Sequence, residues 1–129
     1  MSGYTIRNLR ELEDQAPKFG LSPGLEARFA REALGLGHSG VSLQRLAPGF
    51  RSPFGHRHRE QEEVYVVVAG SGRMKLDNDV VELRPWDAIR VAKETLRAFE
   101  AGPEGLEILA FGAPGTPPGD AELLPGWWA

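Results

Sequence analysis

The chain has 129 residues, 41% of them hydrophobic and 26% charged, and this composition predicts a single globular domain over residues 1–129. With no cysteine, disulfides, thiolate catalysis and cysteine-ligated zinc sites are excluded, and a formal net charge of −3 with scattered lysines and arginines argues against a nucleic-acid partner. Because the longest apolar run has six residues and a polar mixture opens the chain, we also expect no membrane partner and a cytoplasmic location.

The N-terminal part of the chain predicts an irregular segment. Asn8 can cap one or two helical turns, which Pro17 would end. Residues 25–29 alternate apolar and charged side chains, and this period of two favours a strand, with a helix as the alternative. His38 lies in a turn-like stretch flanked by glycines and is expected on the surface rather than in a site.

Beyond Gly40 the sequence predicts a series of short strands. They occupy residues 41–46, 63–68, 73–76, 80–83, 88–91, 95–99 and 106–111. Turn residues separate them, including Gly70-Ser71-Gly72, which we interpret as a hairpin turn, and Gly102-Pro103. Short strands at this spacing, without helices between them, indicate an all-β sandwich or barrel.

Residues 64–68 are apolar at every position, so both faces of this strand must be covered. The candidates for covering the outer face are the N-terminal segment, a second sheet, a partner subunit, or Trp127 and Trp128. Two adjacent exposed tryptophans would form an apolar patch that is unusual for a monomer. We therefore expect a homodimer.

Two of the three histidines form the tripeptide His56-Arg57-His58. Residues two apart in a strand project from the same face, so the imidazoles of His56 and His58 point together. A single turn would bring the next strand alongside, with Glu63 facing the pair. Two imidazoles and a carboxylate suit a divalent transition metal such as Fe, Mn, Ni, Cu or Zn, without a choice among them. The alternative is a solvated patch, since residues 57–63 are mostly charged.

The same stretch resembles the first motif of the cupin family, G-x5-H-x-H-x3,4-E-x6-G. His56, His58, Glu63 and Gly70 match it with the permitted spacing, and only the leading glycine, Gly49, lies one residue too far upstream. The resemblance covers about residues 41–112. It implies a cupin-type double-stranded β-helix, or jelly-roll barrel, with His56, His58 and Glu63 as metal ligands inside.

The second cupin motif is matched less well. Residues 83–99 are similar to it, but Trp86 stands where a turn glycine is usual and Arg97 where the resemblance places a fourth ligand, a histidine. An arginine stays protonated and cannot ligate a metal. Arg97 either pairs with Glu63 inside the cavity and replaces the metal's charge, or swings to the cavity mouth, where it would anchor an anionic substrate beside a three-ligand metal. Tyr65 and Trp86 are further candidates for lining the cavity, although an aromatic in a β protein is more often plain core.

Two functions follow from these alternatives. The first is a metalloenzyme acting on a small organic molecule by dioxygenase, isomerase or Lewis-acid chemistry, as the resemblance implies. The second is a metal-free binding or sensor module that holds a small anionic ligand against Arg97. A purely structural role has no positive feature in its favour. If metal binds, Glu60, Gln61 and Glu62 are candidate partners for the ligands.

Overall fold

A computed structural model describes residues 3–114 and 120–128, and within them the chain forms eight strands and three short helices. The strands are β1 (Leu25–Phe29), β2 (Gly40–Leu46), β3 (Phe54–His58), β4 (Glu62–Leu76), β5 (Asp79–Leu83), β6 (Ala88–Val91), β7 (Arg97–Ala113) and β8 (Ala121–Pro125). The helices are two 3-10 turns, Leu9–Glu11 and Ala16–Phe19, and α1 (Arg31–Leu34). The predicted all-β class is confirmed. None of the helices formed by the described residues is long and apolar enough to cross a membrane.

The strands form one curled sheet that bends into a half-barrel. Its path runs β1-β2-β7-β3-β8, and β4 pairs with β5, β6 and β7. The two longest strands, β4 and β7, lie antiparallel from Glu62 opposite Ala113 to Leu76 opposite Arg97. This long ribbon brings residues from distant parts of the chain to one interior.

The two glycine-containing stretches expected to be turns lie inside strands. Gly70-Ser71-Gly72 is part of β4 and Gly102-Pro103 is part of β7, so the predicted hairpin turn is wrong. A register shift between Gly70 and Gly72 marks a β-bulge instead, and a bulge bends its strand. Gly70 has a φ of +84°, and a Cβ atom there would come within 2.1 Å of the carbonyl oxygen of Gly105. The close approach of the two backbones therefore requires glycine at this position.

Inward-facing side chains of β4 and β7 pack the interior. Along β4, Tyr65 and Val67 are buried, whereas Val64 and Val66 are half-buried on the outer face, as the period of two of a strand requires. The buried cluster comprises Leu46, Tyr65, Val67, Met74, Leu83, Val91, Phe99, Ala101, Leu106, Ile108 and Ala110. Glu63 has the same parity as Tyr65, so its carboxylate points into this interior.

The N-terminal segment is irregular, as predicted, and lies against β1. Asn8 caps the first 3-10 turn by accepting a hydrogen bond from a backbone N–H two residues on. Pro17 does not end that turn but lies within the second one. The side chain of Asp14 accepts hydrogen bonds from the backbone N–H groups of Ala16 and Ala27, and these bonds tie the segment to β1. Strand β1 has the predicted bounds.

The C-terminal segment packs on the chain's own sheet. Strand β8 pairs with the whole of β3. The Trp127 ring lies against Gly55, where an added Cβ atom would come within 2.3 Å of it. Trp128 is 8% exposed, and Arg51 and Arg73 lie over its ring. The tryptophans thus do not form the exposed patch behind the expected homodimer, which stays a prediction without that support.

Candidate metal centre

Strands β3 and β4 supply the three predicted ligands, but they are not neighbours in the sheet. Strand β3 pairs with β8 and, at His56, with Arg97 of β7. Strand β4 pairs at Glu63 with β6 and β7. The expectation that a single turn sets β3 and β4 side by side is therefore wrong. The curl of the sheet brings their side chains together across the interior instead.

His56, His58 and Glu63 converge on one point, as predicted. One ligand atom from each residue lies within 4.8 Å of the other two. The Nε2 atoms of His56 and His58 are 3.6 and 3.0 Å from the Oε1 atom of Glu63. The two imidazole rings project from the same face of β3, with centroids 5.3 Å apart. The alternative of a solvated patch does not hold, because the side chains of His58 and Glu63 are only 9% and 12% exposed.

Arg97 is fully buried and pairs with Glu63, which is the first of the two predicted arrangements. Its Nη1 atom donates to Oε1 of Glu63 at 3.0 Å, and its Nη2 atom donates to the carbonyl oxygen of Ala92 at 2.7 Å. The second arrangement, with Arg97 at the cavity mouth, is wrong because 0% of this residue is exposed. Its Nε atom is also buried and has no hydrogen-bond partner among the described residues.

Tyr65 belongs to the same hydrogen-bond network. Its hydroxyl donates to Oε1 of Glu63 and lies 3.4 Å from Nε2 of His56. The ring packs edge-on against Phe99 inside the core. Burial and the charge of Glu63 raise the pKa of the Tyr65 hydroxyl well above its usual range, so it stays protonated and remains a donor. Its role toward a substrate stays a prediction.

Asp120 holds His58 on the side away from Glu63. The Nδ1 atom of His58 is 2.8 Å from Oδ1 of Asp120, and its Nε2 atom faces Glu63. A carboxylate that accepts a hydrogen bond from the Nδ1–H group of a histidine keeps the proton on Nδ1, so the lone pair of Nε2 is free to bind a metal. Sequence reasoning missed Asp120, which lies 62 residues from His58 in no recognisable motif.

Of the three residues predicted as partners of the ligands, two lie near the site and one does not. Glu60 and Gln61 contact Asp120 through their backbone N–H groups, and Glu62 is exposed.

Trp86 is 75% exposed in the turn between β5 and β6, so its prediction as a cavity residue is wrong. It has a φ of +73° there, a left-handed conformation that glycine adopts more readily.

The charged groups of the site shift one another's pKa values. Burial alone would raise the pKa of Glu63, but hydrogen bonds from both histidines and Tyr65 hold it well below its usual range. Burial lowers the pKa of His56. For His58 burial acts in the same direction but is outweighed by Glu63 and Asp120, so its pKa is raised. Burial also opposes ionisation of Asp120, yet hydrogen bonds from backbone N–H groups and His58 lower its pKa to about 2.

A cavity of about 920 Å³ opens beside Glu63. Its lining includes Gln61 and Ser42 near the candidate site and the aromatic rings of Phe19 and Phe29 from the N-terminal part of the chain. Pockets for small organic ligands usually have volumes of about 300–1,000 Å³. A small molecule can therefore lie next to the carboxylate.

The central part of the chain matches the sequence pattern of one protein family. The sequence pattern of the Cupin domain family (Cupin_2) matches residues 42–111, more than half of the chain. This chain is a cupin. The fold implied by the motif from His56 to Gly70 is thereby confirmed.

Known proteins similar to this cupin come from several organisms. MJ1618, an uncharacterized protein of Methanocaldococcus jannaschii, is 34% identical over 70 residues, which cover 54% of this chain and only 56% of MJ1618. The crystal structure of the cupin protein BF4112 from Bacteroides fragilis has 22% identity and a TM-score of 0.73, and covers 91% of this chain and 89% of that chain. The sugar phosphate isomerase SPO2919 from Silicibacter pomeroyi has 29% identity and a TM-score of 0.65, covering 73% and 61%.

The donor set of this cupin fits a divalent metal. Ligands bound at about 2.1 Å with tetrahedral or octahedral angles lie about 3.0–3.4 Å apart. The distances of 3.0 and 3.6 Å from Glu63 to His58 and His56 are close to that range. Asp120 holds the tautomer of His58 that ligation needs. Because Arg97 occupies the place of the fourth ligand, the ion would have three protein ligands.

We expect Asp120→Asn to weaken metal binding by about 10- to 100-fold, because a neutral amide oxygen is a weaker acceptor than a carboxylate for the Nδ1–H of His58. Calorimetric titration with zinc measures the change. Glu122→Gln is the matched control, since it neutralises a nearby carboxylate on β8 that pairs with Arg57 on the exposed side. Equal zinc affinity in the wild type and Asp120→Asn would show that Asp120 does not position His58.

Proposed function

We propose that this cupin binds one divalent transition metal through His56, His58 and Glu63 and acts on a small organic molecule in the adjoining cavity. One observation carries the proposal: the three ligand atoms lie within 4.8 Å of one another, and Glu63 also lines the cavity of about 920 Å³. Fe, Mn, Ni, Cu and Zn all suit two imidazoles and a carboxylate.

A bound metal would supply Lewis-acid polarisation of a ligand oxygen, or redox chemistry in the case of iron, manganese or copper. The chain's own residues would hold the site in shape. Arg97 neutralises Glu63, Tyr65 fixes the same carboxylate oxygen, and Asp120 orients the ring of His58. Because Arg97 and Tyr65 are almost fully buried, they also keep water from the back of the site.

One solved relative supports a small-molecule substrate. The Silicibacter pomeroyi protein is named a sugar phosphate isomerase and shares 29% identity over 73% of this chain. Isomerisation therefore stands beside dioxygenase and Lewis-acid chemistry among the reaction classes to be tested.

A second candidate function is a metal-free module that binds a small ligand. The buried ion pair between Arg97 and Glu63 favours it, because the guanidinium already neutralises the carboxylate. With His58 protonated between Glu63 and Asp120, two carboxylates would face one guanidinium and one imidazolium. In this arrangement no ion is needed for charge neutrality.

Elemental analysis of the isolated protein, followed by metal titration of chelator-treated protein, separates the two candidates. The metalloprotein should contain about one Mn, Fe, Ni, Cu or Zn per chain, and the metal should raise its melting temperature. Protein that is isolated without metal, and whose melting temperature none of the five metals changes, would contradict the first candidate and favour the second.

Metal binding should release about one proton at pH 6.5. The pKa of His58 is raised in the metal-free protein by Glu63 and Asp120, whereas burial lowers the pKa of His56, so near pH 6.5 His58 holds more of the proton than His56 does. As pH falls below the raised pKa of His58, the metal must displace a proton, so affinity should fall roughly tenfold per pH unit. Above that pKa, affinity should no longer depend on His58. Calorimetry in buffers of different ionisation enthalpy counts the protons, and release of none or of two at pH 6.5 would contradict this assignment.

A further inference from the structure

The cavity beside Glu63 is also lined by Arg31, a cation that the candidate metal centre does not use. Arg31 is half-buried and begins α1, directly after β1. We propose that Arg31 anchors the oxyanion, a carboxylate or a phosphate, of a small organic ligand whose remainder reaches toward Glu63. The inference rests on the proposed function for the use of this cavity, but not for the metal.

The guanidinium of Arg31 has donors without acceptors. Its Nε atom is buried and has no hydrogen-bond partner among the residues that the structure describes. None of the ion pairs formed by residues 3–114 and 120–128 includes Arg31. A buried N–H without an acceptor loses its hydration with no compensation, and native proteins rarely leave one so. Because this Nε atom has almost no accessible surface, a ligand in the cavity would meet the other donors of the guanidinium, and an anionic oxygen suits a guanidinium best.

The other charged side chains near Arg31 do not pair with it. Lys18, which also lines the cavity, forms an ion pair with Glu13 at 3.2 Å. Glu32 follows Arg31 in α1 and also lines the cavity, but successive residues of a helix point in different directions, and no ion pair joins these two side chains. Within the described part of the chain, Arg31 is thus the lining cation with unused donors.

Two aromatic rings indicate an apolar part in the ligand. Phe19 and Phe29 line the same cavity as Arg31 and are 69% and 53% exposed. Covering such rings with an apolar or ring-shaped ligand removes apolar surface from water. The chemistry of the cavity therefore favours a ring-bearing or otherwise apolar oxyanion over a purely polar one.

Three probes of similar shape test the charge requirement: benzoate, phenyl phosphate and neutral benzamide. Each is titrated by calorimetry into wild-type protein that has been treated with chelator and dialysed, so that no metal competes for the oxyanion. We expect at least one anion to bind about tenfold more tightly than benzamide, and Arg31→Ala to lose about 10- to 100-fold of that anion affinity with benzamide unaffected. Arg31→Lys should recover part of the loss. A preference for benzoate assigns a carboxylate, and a preference for phenyl phosphate assigns a phosphate.

Lys18→Ala is the matched control, because it removes a cation from the same cavity that Glu13 already neutralises. It should change anion affinity by no more than about twofold. Failure of all three probes to bind, equal affinity for anions and benzamide, unchanged anion affinity in folded Arg31→Ala protein, or an equal loss in Lys18→Ala would overturn the inference. Zinc titration keeps the two proposals apart: a wild type that binds no metal refutes the metal site and leaves the Arg31 result standing.

Discussion

Replacing Arg97 with methionine should destabilise the metal-free protein by about 3–5 kcal/mol. The substitution removes the guanidinium that lies 3.0 Å from the carboxylate of Glu63, whose side chain is only 12% exposed. It also removes the donor to the carbonyl oxygen of Ala92. The large effect is expected because the carboxylate stays in the interior without the guanidinium, and only His58, when protonated, still faces it with a positive charge.

Urea unfolding of chelator-treated protein measures this loss, and Arg57→Met serves as the control. Arg57 lies between the two histidines but pairs with Glu122 on the exposed side of β3. Losing a pair of that kind costs about 0–1 kcal/mol. Adding Glu63→Gln to Arg97→Met should recover part of the stability, since a neutral amide needs no counter-charge. Equal losses in Arg97→Met and Arg57→Met would show that the buried pair does not stabilise the site.

Metal should reverse part of the loss caused by Arg97→Met. A divalent cation on the two histidines and Glu63 can take over the neutralisation of the carboxylate. Zinc should therefore raise the melting temperature of Arg97→Met more than that of the wild type. A smaller rise in the variant would mean that Arg97 supports metal binding instead of competing with it.

Replacing His58 with alanine should abolish metal retention, with a loss of affinity of more than about 100-fold, beyond the range expected for an outer residue such as Asp120. The substitution removes one of three ligand atoms and leaves Asp120 without the ring that it orients. Elemental analysis after dialysis against metal-free buffer measures retention.

His38→Ala is the control for His58→Ala, because His38 is an exposed histidine between α1 and β2. It should retain as much metal as the wild type. Equal metal content in His38→Ala and His58→Ala would place any bound metal elsewhere than on β3.

Features that depend on local periodicity could be predicted from the sequence. Alternation of apolar and charged residues predicted β1 with its observed bounds. Parity along β3 predicted that His56 and His58 project together. Glu63 was predicted beside them from a single-turn pairing that the structure does not have, and the family motif named the same residue. Each of these inferences needs only neighbouring residues and the geometry of an extended strand.

Features that depend on distant contacts could not be predicted. Gly70-Ser71-Gly72 has the composition of a hairpin turn and of a bulge alike, and its pairing with β7 decides between them. Alignment placed Arg97 near the site, but its direction depends on the acceptors Glu63 and Ala92. Asp120 reaches His58 only because β8 pairs with β3.

The position of Asp120 makes the centre depend on late events in folding. All three candidate ligands lie within residues 56–63, so the ribosome synthesises them before strands β5 to β8. Strands β7 and β8, which pair with β3, are synthesised much later. Asp120, whose carboxylate orients His58, immediately precedes β8. During synthesis an ion would first meet loosely held ligands. We therefore expect tight metal binding only after β8 has paired with β3, and not at the start of folding.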